Sequence, residues 1–184
     1  MKSAPLPIET ARLRLREITE ADLPAFAAYR GDPEVARFQS WSRFGMDDAR
    51  IFYEDQKLID FGVLGTWFQI GVADRASDAL LGDCALHFLD EDQVEMGFTL
   101  AREHQGRGIM REALTALLDE VFGQLARHRV IAITDARNGQ AHKLLGALGF
   151  RREGHFVESA FFKGAWGDEM LYACLAREWK ARRA

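Results

Sequence analysis

Two glycines flanking an arginine, in Gln105-Gly106-Arg107-Gly108, lie between an apolar run that starts at Val94 and an amphipathic one that reaches Leu118. The order reads as strand, tight turn and helix. Glycine lets the backbone turn sharply and approach a ligand with no Cβ in the way. The helix that opens next has unpaired N–H groups and the positive end of its dipole at the same spot. Together these make a socket for a phosphate or diphosphate group. The sequence is not a Walker loop, because the closing Gly-Lys-Ser/Thr is missing. Nor is it a dinucleotide fingerprint, since the third glycine and the later acidic residue are not in place. A plain structural turn is the competing reading of the glycine pair alone; the strand before and the helix after favour the phosphate site.

Two further residues stand out for chemistry. Glu95 interrupts an apolar strand between Val94 and Met96, and alternation puts it on one face with Gly97 and Thr99. A carboxylate there is unfavourable unless paired or hydrated, although a strand glutamate more commonly faces water. Asn138 follows a strand and precedes an apolar-periodic stretch, the position of a helix cap. His87, His104, His128, His142 and His155 are scattered without metal spacing, and none is assigned chemistry. Cys84 and Cys174 are far apart in apolar stretches, so buried free thiols are expected, as in a reducing compartment.

The elements that would hold these residues follow from periodicity. Arg12-Leu13-Arg14-Leu15-Arg16 alternates as a half-buried first strand. Helices are expected over 21–29, from Pro33 through Phe38, and over 47–61 with Gly62 as the stop. Residues 66–72, 80–89 and 94–100 read as an antiparallel meander joined by turns rich in Asp, Ser and Gly. Met110, Leu114, Leu117, Leu118, Val121, Phe122 and Leu125 form one stripe, predicting a helix over 109–125. A strand over 129–134, a helix over 140–148 capped by Gly149, and short strands over 154–158 and 169–174 complete the chain. The 94–134 stretch is then a crossover joining two parallel strands inside a mixed sheet.

The chain has 184 residues, 28% charged and 48% hydrophobic, which fits one domain over 1–184 with its own core. Its net charge of −4 favours cationic partners and argues against nucleic acid as a main ligand. The basic run from Arg177 to Arg183 reads as a solvated tail. No apolar run has the length of a membrane span and the first ten residues carry no signal core, so a cytoplasmic location with no membrane partner is expected.

With these residues in view, the chain resembles the GCN5-related N-acetyltransferases (GNAT), in particular the RimJ/RimL-like branch that acetylates ribosomal protein N-termini. The likeness runs through Glu9-Thr10-Ala11-Arg12-Leu13-Arg14-Leu15-Arg16, Gly31-Asp32-Pro33-Glu34-Val35, Val94-Glu95-Met96-Gly97-Phe98, the glycine loop with Glu112-Ala113-Leu114, and Asn138 with Leu148-Gly149-Phe150. It continues into Gly164-Ala165-Trp166-Gly167-Asp168 and Leu171-Tyr172-Ala173-Cys174-Leu175. The resemblance implies an α+β GNAT fold: a mixed, mostly antiparallel twisted sheet of six to seven strands, helices on both faces, and a splayed central parallel pair. It implies acetyl-CoA as donor, its arm lying along Phe98, Thr99 and Leu100. Its diphosphate would meet Gln105, Gly106, Arg107, Gly108, Ile109, Met110 and Arg111, and Asn138 would touch the arm. Glu95 would act on the amine through water. Trp41, Trp166 and Asp168 are candidates for the acceptor side; no metal is implied, and a homodimer is common among such proteins while the sequence itself leaves oligomeric state open.

Two departures bear on mechanism. Ala141 stands where the family often has serine, and no tyrosine lies between Asn138 and Phe150, so the position of a general acid is vacant. A lysine amine, near pKa 10.4, costs roughly 4.6 kcal/mol to neutralise at pH 7, whereas a protein α-amine near 7.8 costs about 1. A protein N-terminal amine is therefore the expected acceptor. The rivals are a small amine (polyamine, aminoglycoside or amino-acid-like) and a non-catalytic acyl-CoA sensor.

Overall fold

The computed structural model describes residues 4–183. Eight strands form one sheet: β1 (Ile8–Glu9), β2 (Leu13–Arg16), β3 (Trp67–Asp74), β4 (Leu80–Phe88), β5 (Gln93–Leu100), β6 (Arg129–Asp135), β7 (Arg151–Phe162) and β8 (Ala165–Leu175). Their order is β1-β2-β3-β4-β5-β6-β8-β7. Every neighbouring pair is antiparallel except β5 and β6. The sheet thus holds one strand more than the six to seven expected, and two-residue β1 is too short to show as a period in sequence.

Helices α1 (Leu23–Gly31), α2 (Pro33–Ala36) and α3 (Met46–Gln56) precede β3; α4 (Ile109–Phe122) and α5 (Gly139–Ala147) flank β6; α6 (Ala176–Arg183) ends the described chain. Alternation along the strands divides the helices between two faces. Val94 and Met96 of β5 join Leu114, Leu117, Leu118 and Leu145 in the main core, under α4 and α5. A smaller core of Leu23, Phe26, Tyr29, Val35 and Ala49 packs α1 to α3 against Leu80 and Ala101. The buried stripe of α4 includes Met110, Leu114, Leu117, Leu118, Val121 and Phe122, the residues its helical spacing picks out. Among the described residues no helix is long and apolar enough to cross a membrane.

Helices α2 and α4 stop at Ala36 and Phe122, short of the expected Phe38 and Leu125, and three other elements differ more. The helix expected to reach Phe61 ends at Gln56, where Lys57 and Leu58 N–H groups turn back onto the Tyr53 and Asp55 carbonyls. The two short C-terminal strands are one long hairpin; β7 is exposed along most of its length, so no burial pattern marks it in the sequence. The basic tail is helix α6, pinned by Trp179, which is buried and donates its Nε1–H to Asp119 at 2.8 Å. Cys84 and Cys174 are buried free thiols, as expected.

Candidate active site

The parallel pair is the feature on which the site depends. Strands β5 and β6 are paired only at Gln93↔Arg129, Val94↔Val130 and Glu95↔Ile131. Beyond Glu95 they part, while each stays bonded to its outer neighbour through Leu100 on one side and Asp135 on the other. The result is a V whose inner edges carry strand backbone groups with no strand between them, and such groups need a partner.

A cleft of about 460 Å3 fills the V and continues outward. Its inner walls are Met96, Gly97 and Phe98 on one arm and Ile133, Thr134 and Asp135 on the other, with Asn138 and Ala141 at the start of α5. Its outer wall comes from Phe38, Gln39 and Ser40 after α2, and from Phe161, Phe162 and Glu169 of the hairpin. The hairpin tip is tied across this opening, since the Lys163 ammonium donates to the carbonyl oxygens of Ala36 and Arg37. Burial pushes the Lys163 pKa down from its usual value, and the nearby Arg137 charge adds to that. A second hollow of about 480 Å3 under α1 and α3 shares no lining residue with this cleft.

At the open end of the V, Gln105 donates its side-chain N–H to the Leu100 carbonyl at 3.0 Å and anchors the glycine loop. Gly106 and Gly108 both have φ of +73°, the left-handed region that an L side chain resists. The first α4 bond to a backbone carbonyl is Glu112 N–H onto Gly108 O at 3.0 Å. Among the described residues the N–H groups from Gly106 to Arg111 have no hydrogen-bond acceptor. Ile109 and Met110 are buried, so their side chains anchor the turn while their N–H groups stay free; Arg107 and Arg111 are exposed. That nest suits a diphosphate.

The loop is braced from a distant part of the chain. Arg12 donates Nη1–H to the Arg107 carbonyl at 3.1 Å and pairs through Nε with Glu112 Oε2 at 2.6 Å. Thr10 Oγ1–H and Arg12 N–H both reach Glu112 Oε1, at 2.6 and 3.0 Å. Desolvation works to raise the Glu112 pKa, but the bonds from Thr10 and Arg12 outweigh it and hold the carboxyl below its usual value.

Glu95 sits at the vertex of the V, in the last paired position. Its carboxylate is half-buried and meets His87 Nδ1 at 3.3 Å. Thr99, buried, accepts a hydrogen bond from Gln39 at 3.3 Å, tying β5 to the segment after α2. Asn138 caps α5, its Oδ1 accepting Ala141 N–H at 3.1 Å. The two bonds from Arg137, at 2.9 and 2.6 Å, hold the Asp135 carboxyl below its usual pKa.

The three acceptor-side candidates are placed apart. Trp41 donates Nε1–H to the Arg30 carbonyl at 2.9 Å and stacks over the Arg30 guanidinium, so it supports the segment 38–40 without lining the cleft. Trp166 is 61% exposed and packs on Phe161, a cleft residue. Asp168 accepts from Glu158 N–H and pairs with His155 Nε2, bracing the hairpin outside the cleft wall. Sequence reasoning missed Phe38, Gln39, Phe161 and Glu169, whose nearness to the V is created by the loop after α2 and the long hairpin. It also missed His87, whose only signal was its place on the strand beside Glu95.

The family model described as acetyltransferase (GNAT) domain matches residues 12–151, which contain both arms of the V, the glycine loop and the Asn138 cap. The chain belongs to the GNAT acetyltransferase family. An uncharacterised N-acetyltransferase, p20, of Bacillus licheniformis is 29% identical over 173 residues, covering 92% of this chain and 96% of that protein. The ribosomal protein uS5-alanine N-acetyltransferase of Escherichia coli is 32% identical over 127 residues, covering 67% of this chain and 66% of that one. A spermidine N-acetyltransferase from Vibrio cholerae, solved with CoA and spermine, has the same fold with a TM-score of 0.80 at 24% identity, covering 93% of this chain and 99% of that one. This acetyltransferase uses acetyl-CoA as donor, and the non-catalytic sensor is set aside. The free strand edges and the amide nest fit that donor's arm and diphosphate.

Proposed function

We propose that this GNAT enzyme acetylates the N-terminal α-amine of a protein. The observation that carries the reading is the continuity of the cleft: one hollow contains the arms of the V and the wall formed by Phe38, Gln39, Ser40, Phe161 and Glu169. An acceptor entering past the hairpin reaches Met96 and Gly97, the residues that follow Glu95 on its strand; Glu95 itself lies just behind the cleft lining. Two carboxylates line that hollow, and Asp135 is already matched by Arg137. Glu169 is left as the acid facing the acceptor, braced by Ser159 Oγ at 2.9 Å. Apart from Glu95 at the reacting end, a single unmatched carboxylate on the acceptor wall suits one ammonium better than a polycation. The uS5-alanine enzyme among the relatives supports the same choice.

The acetyl thioester of acetyl-CoA supplies the activated carbonyl. The chain's own tasks are to hold and to deprotonate. Backbone groups along Met96 to Leu100 align the donor arm as a neighbouring strand would, with Asn138 beside it. The amides from Gly106 to Arg111, with Arg107 and Arg111 near them, take the diphosphate. Glu95 accepts the proton that leaves the amine, through one water. Because Ala141 lines the cleft where a hydroxyl would be a donor, the departing thiol leaves as thiolate, which its reference pKa of about 8.5 permits.

The test is CoA release measured with purified protein, acetyl-CoA and an acceptor panel. The panel holds peptides with free N-termini, the same peptides N-terminally blocked but carrying lysine, and spermidine. Turnover with free N-termini and none with blocked peptides is expected. Spermidine turnover without peptide turnover would overturn the proposal in favour of the polyamine reading, which the Vibrio cholerae structure keeps as the rival.

A further inference from the structure

A row of side chains crosses three strands and ends at the vertex of the V. Register pairs Trp67 with His87, and His87 with Glu95; Glu95 in turn faces Ile131 across the last bonded position of the parallel pair. All three side chains lie on the sheet face opposite α4, because Phe68, Leu86, Val94 and Met96 point into the main core. The imidazole of His87 stacks on the Trp67 ring, with centroids 4.8 Å apart and planes 16° from parallel. The Trp67 ring also leans over Gly97, where an added Cβ would lie 3.4 Å from it. Gly97, two residues past the vertex and on the same face as Glu95, thus has the indole packed directly over it.

Stacking fixes the ring plane and directs Nδ1 at Glu95 Oε2, 3.3 Å away. An ionised carboxylate can only accept, so it is the Nδ1–H that donates to Oε2. The two carboxylate oxygens are thereby made unequal. Among the described residues Oε2 has a partner and Oε1 has none, and Oε1 is not sealed from solvent. A base must present one lone pair at a defined place, and a glutamate with three rotatable side-chain bonds at a strand surface would not do so unaided.

We propose that His87, clamped by Trp67, is a positioning residue for the acetyl transfer: it holds Glu95 Oε2 so that Oε1 is the oxygen offered to the amine or its water. The proton that leaves the amine goes to Oε1 and from there to solvent; His87 keeps its own proton throughout. The inference rests on the reading of Glu95 as the base.

Four variants and one spectrum test it, using the panel acceptor that turns over fastest. Glu95→Gln should lower kcat about 100-fold. His87→Ala should lower kcat about tenfold and leave the KM for acetyl-CoA within about twofold, because the donor site is untouched. His87→Asn, whose amide N–H replaces Nδ1–H, should recover to within about threefold of wild type. In the Glu95→Gln background, His87→Ala should change kcat by less than about twofold. Nitrogen NMR of the imidazole, assigned by the signal missing in His87→Asn, should show the Nδ1–H form, whatever the acceptor. An unchanged rate in Glu95→Gln sinks the base assignment itself. A normal Glu95→Gln loss with His87→Ala at wild-type rate, or equal losses from His87→Ala in both backgrounds, or an Nε2–H imidazole, sinks the role of His87 alone.

Discussion

The Arg12 guanidinium and the Arg107 carbonyl, 95 residues apart in sequence, meet at 3.1 Å. The contact turns the peptide between Arg107 and Gly108 so that its oxygen faces the β1–β2 turn, leaving the Gly108 N–H on the other side of the same planar unit. The carboxylate of Glu112 completes the brace by pairing with Arg12 Nε. One arginine therefore sets the orientation of the amide nest without needing to touch a phosphate.

Arg12→Ala should weaken acetyl-CoA binding about tenfold, or about 1.4 kcal/mol, with kcat at saturation changed less than about threefold. Arg12→Lys keeps the charge but cannot reach the carbonyl and Glu112 together, so it should recover only part of the loss. Calorimetric titration with acetyl-CoA reads both. Wild-type affinity in Arg12→Ala would show that the nest needs no brace.

Asn138 has a capping role and a proposed donor contact, and the two can be separated. Losing the bond to Ala141 N–H should cost about 1 kcal/mol in Asn138→Ala, lowering Tm by about 2–4 °C. Asn138→Ser restores a cap with a shorter side chain. If Asn138 also meets the donor arm, the serine variant regains Tm but not acetyl-CoA affinity; recovery of both would leave capping as its sole task.

The central crossover was legible because each piece has a strong local signal. The stripe of α4, the β-branched Val130, Ile131 and Ile133, and two glycines at a strand-helix junction need no distant partner to be read. What stayed hidden is what distant residues do to each other. Arg12 looks in sequence like one polar member of an alternating strand, and only the fold brings it to Arg107. His87 acquires a role only through its cross-strand register with Trp67 and Glu95. The hairpin wall of the cleft was illegible for another reason: Val157 and Phe161 are 71% and 60% exposed, so their hydrophobicity follows no burial period.

Asp22 ties stability to acid pH. Burial alone would raise its pKa, yet two hydrogen bonds from Arg16, with the Thr19 N–H and O–H, hold it below the usual carboxylate value. A carboxyl lowered in the folded state contributes stability above its unfolded pKa, about 3.9, and that contribution fades as pH falls through the lower folded value. Asp22→Asn should therefore cost about 1–2 kcal/mol at pH 7, allowing for screening of a pair that is not fully enclosed. Urea unfolding from pH 7 down to about 2 should show wild type and variant converging at the acid end. Parallel curves would mean that the pair contributes nothing that titrates.

Beneath the 38–40 wall of the cleft lies a buried ion pair, and its removal tests how that wall is held. Arg30 Nη2 donates to Asp83 Oδ1 at 3.0 Å, and both side chains are buried. The Tyr29 hydroxyl and Gln69 amide also donate to Asp83. Burial first and the Asp83 charge second push the Tyr29 pKa well above its usual value, so its hydroxyl remains a donor. Over the other side of the guanidinium lie Trp41 and Phe26, at 4.4 and 4.3 Å from their ring centres. Arg30→Ala leaves a carboxylate enclosed without its cation and should cost about 3–5 kcal/mol. Arg30→Ala with Asp83→Ala should cost clearly less than the sum of the two single changes, since neither charge is then stranded. Because Arg30 also carries Trp41, and Gln39 is fixed to Thr99, the single variant should raise the KM for the acceptor more than the KM for acetyl-CoA. Additive losses in Tm, or equal shifts in the two KM values, would show that the pair does not support the acceptor wall.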